Sequence, residues 1–213
     1  MRLQSLKNRI LESSIGYSLW SAPLTIKKVG EVRAMLQKSG KHYCSVLDVG
    51  CGPGSNADLF EGWDYLGIDH NPDYIHLARS KYPSMEFRTG DARDLGLNGQ
   101  KFELVLINSL LHHLTNAECI QLFNGLRPVL TGNAMLILQE PIIPNRSERL
   151  RWFLMEHDRG DHFRTVEGWK QLFADGGFQI AADQLYFLKF AGTVICWQMY
   201  SVLLSISDEN GAE

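Results

Sequence analysis

The stretch that most constrains the fold is residues 46–54, Val-Leu-Asp-Val-Gly-Cys-Gly-Pro-Gly, where an apolar run meets three glycines at alternate positions. A short apolar run closed by turn residues reads as a strand buried on both faces, here Ser45 to Val49. Glycines so spaced let the backbone turn sharply and press against a ligand where side chains would collide. A short helix is expected to follow. Strand, glycine turn and helix together open a parallel α/β unit.

The remaining chain continues that alternation. Tyr65 to Asp69 reads as a second strand, and Asn71-Pro72 as a helix start, because the Asx side chain accepts from free backbone N–H groups and proline suits the first helical position. That helix is expected to run to about Lys81. Met85 to Thr89, Glu103 to Ile107 and Asn133 to Gln139 read as strands three to five. Thr115 and Glu118 form a capping box ahead of Cys119, Leu122, Phe123 and Leu126, whose spacing gives one apolar helix face ending at Pro128. Leu150, Phe153 and Leu154 suggest another helix, and Thr165 caps a further one through Phe173, stopped by Gly176-Gly177. Two late strands, near Phe178 to Leu188 and Thr193 to Leu203, complete a seven-stranded sheet. The fold class is therefore α/β, a doubly wound, mostly parallel sheet with helices on both faces.

Residues 1–40 read as a helical extension or lid before a domain over 41–213. Leu3, Leu6 and Ile10 share one face, and Ile26, Val29 and Leu36 lie on a second segment interrupted around Pro23. With 45% hydrophobic and 21% charged residues the chain is of ordinary globular composition. A net charge of −3 lacks the cationic excess with which nucleic-acid binders attract phosphates, so no nucleic-acid partner is expected. Cysteines 44, 51, 119 and 196 form no CxxC pair, and the N-terminal residues carry no continuous apolar stretch. A reduced, cytoplasmic protein without a metal site follows. The apolar run from Ala191 to Leu204 is too short to span a bilayer and reads as a buried strand, so no membrane partner is expected.

Three ligand-facing points fall at the carboxyl ends of neighbouring strands, where open α/β sheets bind ligands. They are the glycine turn, Asp69 at the end of the second strand, where a carboxylate can accept ribose hydroxyls, and Asp91-Ala92 after the third, suited to an adenine amino group and ring nitrogen. A dinucleotide fingerprint would need glycine at 55, where this chain has Ser55. From about Val46 to Gly177 the sequence resembles the class I S-adenosylmethionine-dependent methyltransferases, through VLDVGCGPG, GIDHNP, GDARDL and FELVLINSLLHHL. The resemblance implies S-adenosylmethionine as cofactor, with S-adenosylhomocysteine as product, and a closing pair of strands joined as a hairpin. It implies that Gly50, Cys51, Gly52 and Gly54 approach the methionine and ribose portions, that Asp48 orients the amino group, that Asp69 and His70 lie at the ribose, that Asp91 and Ala92 meet the adenine, and that Asn108 lies near the methionine.

Methyl transfer from a sulfonium is an in-line displacement, so the protein must hold the acceptor close and exclude water. A hydroxyl or protonated amine must also lose a proton, which makes His112 and His113, just past the fourth strand, the candidate bases. Glu140, His162 and Arg164 are candidates for acceptor binding. Aromatic residues Tyr17, Trp20, Trp152, Phe153, Trp169 and Trp197 supply core and a possible roof. Asn108 is followed by Ser109-Leu110 rather than by two prolines and an aromatic residue, which argues against methylation of adenine or glutamine amino groups. The expected partner is a small-molecule acceptor, taken by a monomer or homodimer. Two other readings remain open: a cofactor-binding regulatory protein that has lost transfer, and a non-methylating enzyme on the same fold.

Overall fold

In the computed structural model, residues 14–97, 99–156, 158, 160–189 and 196–207 are described. Helix α1 (Ser14–Ser39) is followed by β1 (Ser45–Val49), β2 (Asp64–Asp69), α2 (Pro72–Lys81), β3 (Glu86–Thr89), β4 (Phe102–Asn108), α3 (Asn116–Leu126), β5 (Leu130–Pro141), α4 (Arg149–Glu156), α5 (Val166–Asp175), β6 (Phe178–Lys189) and β7 (Cys196–Ile206). The strands form one sheet in the order β3-β2-β1-β4-β5-β7-β6. Strands β1 to β5 pair in parallel, while β7 runs antiparallel to both β5 and β6.

Alternation along the central strands divides the core between two layers. Leu47, Val49, Val105, Ile107, Leu136 and Leu138 pack on one face with α3 and α5 residues Leu122, Phe123, Trp169 and Phe173. Val46, Leu104, Leu106, Met135 and Ile137 pack on the other with Val32, Met35, Phe60, Ile75 and Ala78. Each fully buried leucine or isoleucine contributes about 2 kcal/mol of transfer free energy, so neither layer can be lost without the fold.

The capping chemistry is as the sequence suggests. Asn71 Oδ1 accepts from the backbone N–H groups of Asp73 (2.9 Å) and Tyr74 (3.4 Å). At α3 the Thr115 hydroxyl accepts from Glu118 N, and the Glu118 carboxylate accepts from Thr115 N at 2.9 Å. Thr165 caps α5 through Gly168 N at 3.0 Å.

Three expectations change. The short helix after the glycine turn is a single 3-10 turn, Ala57–Phe60. The fifth strand starts at Leu130 and runs to Pro141, beyond the expected range at both ends. Helix α1 continues through Pro23 without the expected interruption. A proline inside a helix costs about 3 kcal/mol, and α1 offsets it by packing across β5, β6 and β7, with Val32 and Met35 fully buried. The apolar face of Leu3, Leu6 and Ile10, the side chains of Tyr17, Trp20 and Ile26, and Thr193 lie outside the described residues. Among the described residues, no helix is long and apolar enough to cross a membrane.

Candidate functional site

At the carboxyl end of β1, Gly50, Gly52 and Gly54 all take positive φ (75°, 54° and 77°), which β-carbon-bearing residues rarely adopt. The turn is anchored by Gly50 N and Cys51 N donating to Ile68 O at 2.8 and 3.1 Å. A Cβ on Gly50 would press on Leu110, and one on Gly54 on the Tyr82 ring, whereas one on Gly52 would meet nothing within 4 Å. The turn is thus packed at both feet and open at its crest.

Two carboxylates sit beneath it. Asp69 is buried; its Oδ2 accepts from Gly52 N at 2.8 Å and its Oδ1 from Asn71 N at 2.9 Å. Each oxygen keeps a second lone pair, which suits two vicinal hydroxyls. The neighbouring His70 ring is exposed, with Nδ1 3.5 Å from Asp69 Oδ1. Asp48 is wholly buried; its Oδ2 accepts from the Tyr65 hydroxyl at 2.9 Å, while its Oδ1 has no partner among the described residues. Burial raises the Asp48 carboxyl to about 7, with the polar Tyr65 and Asn56 side chains opposing the rise and the Asp69 charge adding to it. An open glycine crest above an unpartnered buried carboxylate oxygen fits a ligand that brings an ammonium or sulfonium and a ribose, the groups of S-adenosylmethionine.

Asn108, at the end of β4, donates from Nδ2 to Asn56 Oδ1 at 3.3 Å and accepts from Ser109 Oγ at 3.3 Å. It therefore joins the glycine turn to the next loop. Asp91, the expected adenine contact, is already engaged by its neighbours. Its carboxylate accepts from the Arg93 backbone N–H and guanidinium at 2.6–3.1 Å, which holds it down at about 2. Arg93 also bonds Glu118 at 2.8 Å. An adenine amino group would have to share Asp91 with this arginine. Ala92 packs half-buried against the core.

The loop after β4 is held quite differently. Glu140, 1% exposed, accepts from Leu110 N (2.9 Å), Leu111 N (2.8 Å) and His112 N (3.3 Å), and meets His112 Nδ1 at 2.8 Å. The expected acceptor-binding role gives way to a structural one, because these contacts fill the carboxylate. His112 is likewise buried: its Nε2 lies 3.7 Å from Asp158 Oδ1, and its ring packs between His113 (4.1 Å) and Phe163 (5.2 Å). A base must present a nitrogen to the acceptor, and this imidazole has a carboxylate at each. A Cβ on Gly160 would collide with the His112 ring, so glycine at that position lets the loop close over it. His113 is exposed beside it.

Arg164 is corrected in the same way. Its buried guanidinium donates to Asn116 Oδ1 (2.8 Å), Leu111 O (3.1 Å), His162 O (2.8 Å) and Leu114 O (2.8 Å), and lies over the Trp169 ring. It ties the loop after β4 to the start of α5 and has no fork free for a substrate. His162, half-buried, donates its backbone N–H to His112 O at 2.9 Å, so it enters this clamp through its backbone. His157 and Arg159 lie outside the described residues. Of the aromatics, Trp169 is core, Trp197 stacks on Phe163 at 5.8 Å, and Phe153 is exposed.

Sequence reading missed Lys28 and Ser109. Ser109 takes φ 58°, the one positive φ outside glycine among the described residues, and its Oγ accepts from Lys28 Nζ at 2.7 Å. Lys28 O accepts from Gln139 Nε2 at 3.2 Å. Burial lowers the Lys28 ammonium, while the carboxylates of Glu140 and Asp158 pull it back up. The unusual Ser109 backbone has no sequence signal, and Lys28 comes from a helix 81 positions away.

Residues 46–133 match the family model of a methyltransferase domain. Trans-aconitate 2-methyltransferase of Escherichia coli is 35% identical over 100 residues, which are 45% of this chain and 38% of that enzyme. A methyltransferase of Synechocystis sp. is 27% identical over 151 residues, 66% of this chain and 69% of its own length. The chain thus spans well under half of the first relative. Among solved structures, magnesium protoporphyrin IX methyltransferase from Synechocystis, with S-adenosylhomocysteine bound, superposes with a TM-score of 0.68 at 18% identity, covering 95% of this chain and 99% of that one. Residues 46–133 thus match a methyltransferase domain, and the chain shares its fold with that solved methyltransferase.

Proposed function

We propose that this protein transfers the methyl group of S-adenosylmethionine to an oxygen, nitrogen or carbon of a small molecule in the cytoplasm. The observation that carries the reading is the open crest at Gly52, backed by the unpartnered Asp48 oxygen and by Asp69. The bound cofactor supplies a methyl on a sulfonium, ready for in-line displacement. The chain's residues do the rest. The glycine turn admits the ligand, Asp69 accepts its ribose hydroxyls, and Asp48 offers an acceptor for its ammonium. Helix α1 and the loop after β4 keep water from the acceptor side. The net charge of −3 favours a small acceptor over nucleic acid. A second reading, cofactor binding without transfer, draws on the two carboxylates at the His112 ring nitrogens.

Titration calorimetry with S-adenosylmethionine, S-adenosylhomocysteine and NADH tests the proposal. Saturable binding of the first two with none of NADH is expected. Binding of NADH alone would overturn it.

A further inference from the structure

Resting on that reading, we propose that Lys28 binds the methyl acceptor and that the acceptor presents a carboxylate, methylated to its ester. The ammonium of the partly buried Lys28 lies at the end of β4, with Ser109 Oγ as its hydrogen-bond acceptor among the described residues. An ammonium has three N–H groups, so two stay available for an oxygen ligand. The charged groups facing it are Glu140 and Asp158, the carboxylates on either side of His112. Both are committed to the loop: Glu140 to three backbone N–H groups and the imidazole, and Asp158 to Gly160 N at 2.9 Å. Lys28 is therefore the cation with donors to offer, and Arg164, the other cation of this region, has its donors filled by the protein.

Position supports the same role. Ser109 bonds Asn108, and Asn108 bonds Asn56 behind the glycine turn. A ligand on Lys28 thus sits one hydrogen-bonded step beyond the residues that flank the cofactor. The enclosure of His112 also selects the chemistry. A hydroxyl or ammonium acceptor needs a base, whereas a carboxylate is already ionised at neutral pH. One carboxylate oxygen donates its pair to form the new O–CH3 bond, the S–CH3 bond breaks with its pair remaining on sulfur, and no proton is released. The ammonium holds the second oxygen and aims the first.

The test is calorimetry on the full chain saturated with S-adenosylhomocysteine, titrated with trans-aconitate and with benzoate, each against its amide. Saturable binding of at least one carboxylate, with no binding of its amide, is expected. Lys28→Met and Lys28→Gln should weaken it roughly 10- to 100-fold, as loss of a charged hydrogen bond does, with Lys28→Arg keeping most of the affinity. S-adenosylmethionine affinity should stay within about twofold, since the ammonium is not among its ligands. Melting curves matching the unaltered protein qualify whichever neutral variant is used. Failure of both carboxylates to bind, or equal binding by the neutral variants, overturns the proposal. If the neutral variants weaken S-adenosylmethionine but not its decarboxylated form, Lys28 holds the cofactor's own carboxylate, and the acceptor assignment falls. Failure of the unaltered protein to bind S-adenosylmethionine would instead remove the methyltransferase reading itself.

Discussion

The carboxyl ends of β1 and β4 lie side by side, and buried carboxylates stand at both, yet those groups are used in opposite ways. Under the glycine turn, Asp48 keeps an oxygen without a partner and Asp69 keeps lone pairs in reserve. Beyond β4, Glu140 is filled by backbone N–H groups and the His112 ring, and Arg164 by backbone carbonyls and Asn116. A dense cluster of titratable side chains is therefore no measure of a ligand site; unused hydrogen-bonding capacity is. Buried polar groups are costly unless paired, so an unpaired carboxylate oxygen under an open turn is where a ligand gains most by binding.

The largest expected effect tests the filled side. Arg164→Ala removes the donors from three carbonyls and the cation over Trp169, and should destabilise the protein by about 3–5 kcal/mol in urea unfolding. A loss under about 1 kcal/mol would restore Arg164 as an acceptor-binding candidate.

Next comes the pH dependence on the open side. Asp48 titrates at about 7 in the fold against an ordinary 3.8, so the native state holds the proton that the unfolded chain releases. Stability from this group is greatest below pH 4, falls as the pH rises to 7, and is level above. The total is about 4 kcal/mol. Asp48→Asn should remove that slope, so the difference in stability between variant and parent should grow from pH 4 to pH 8. An unchanged difference would mean that Asp48 is ionised throughout.

Asp69→Ala should weaken S-adenosylmethionine by about 1–3 kcal/mol, because the ribose donors lose their acceptor; unchanged affinity by calorimetry would take Asp69 out of the site. The smallest effect belongs to neither side. Thr115→Ala should cost about 1 kcal/mol of stability through the lost α3 cap, with cofactor affinity unaltered.

The strands, caps and glycine turn could be read from the sequence because each is a local device: an apolar run between turn residues, an Asx or Thr ahead of a helix, a glycine where φ must be positive. Most of the failures are matters of tertiary context. Pro23 signals a break, but packing of α1 on the sheet outweighs one missing hydrogen bond. Arg164 and Glu140 sit at positions where the fold places ligands, and nothing in their neighbours shows that loop carbonyls and N–H groups will surround them. The Asp91 partner is two residues away, near enough to suspect, whereas Lys28 meets Ser109 only because α1 crosses the sheet.

The place of β7 has a consequence for synthesis on the ribosome. Strand β5, whose last eight residues are all buried, borders β4 on one side and β7 on the other. Until residues 196–206 have emerged, that second border is a bare row of backbone donors and acceptors on an apolar ribbon, the kind of edge other chains join. The parallel part can assemble early, but the nascent protein stays prone to association until β7 is made.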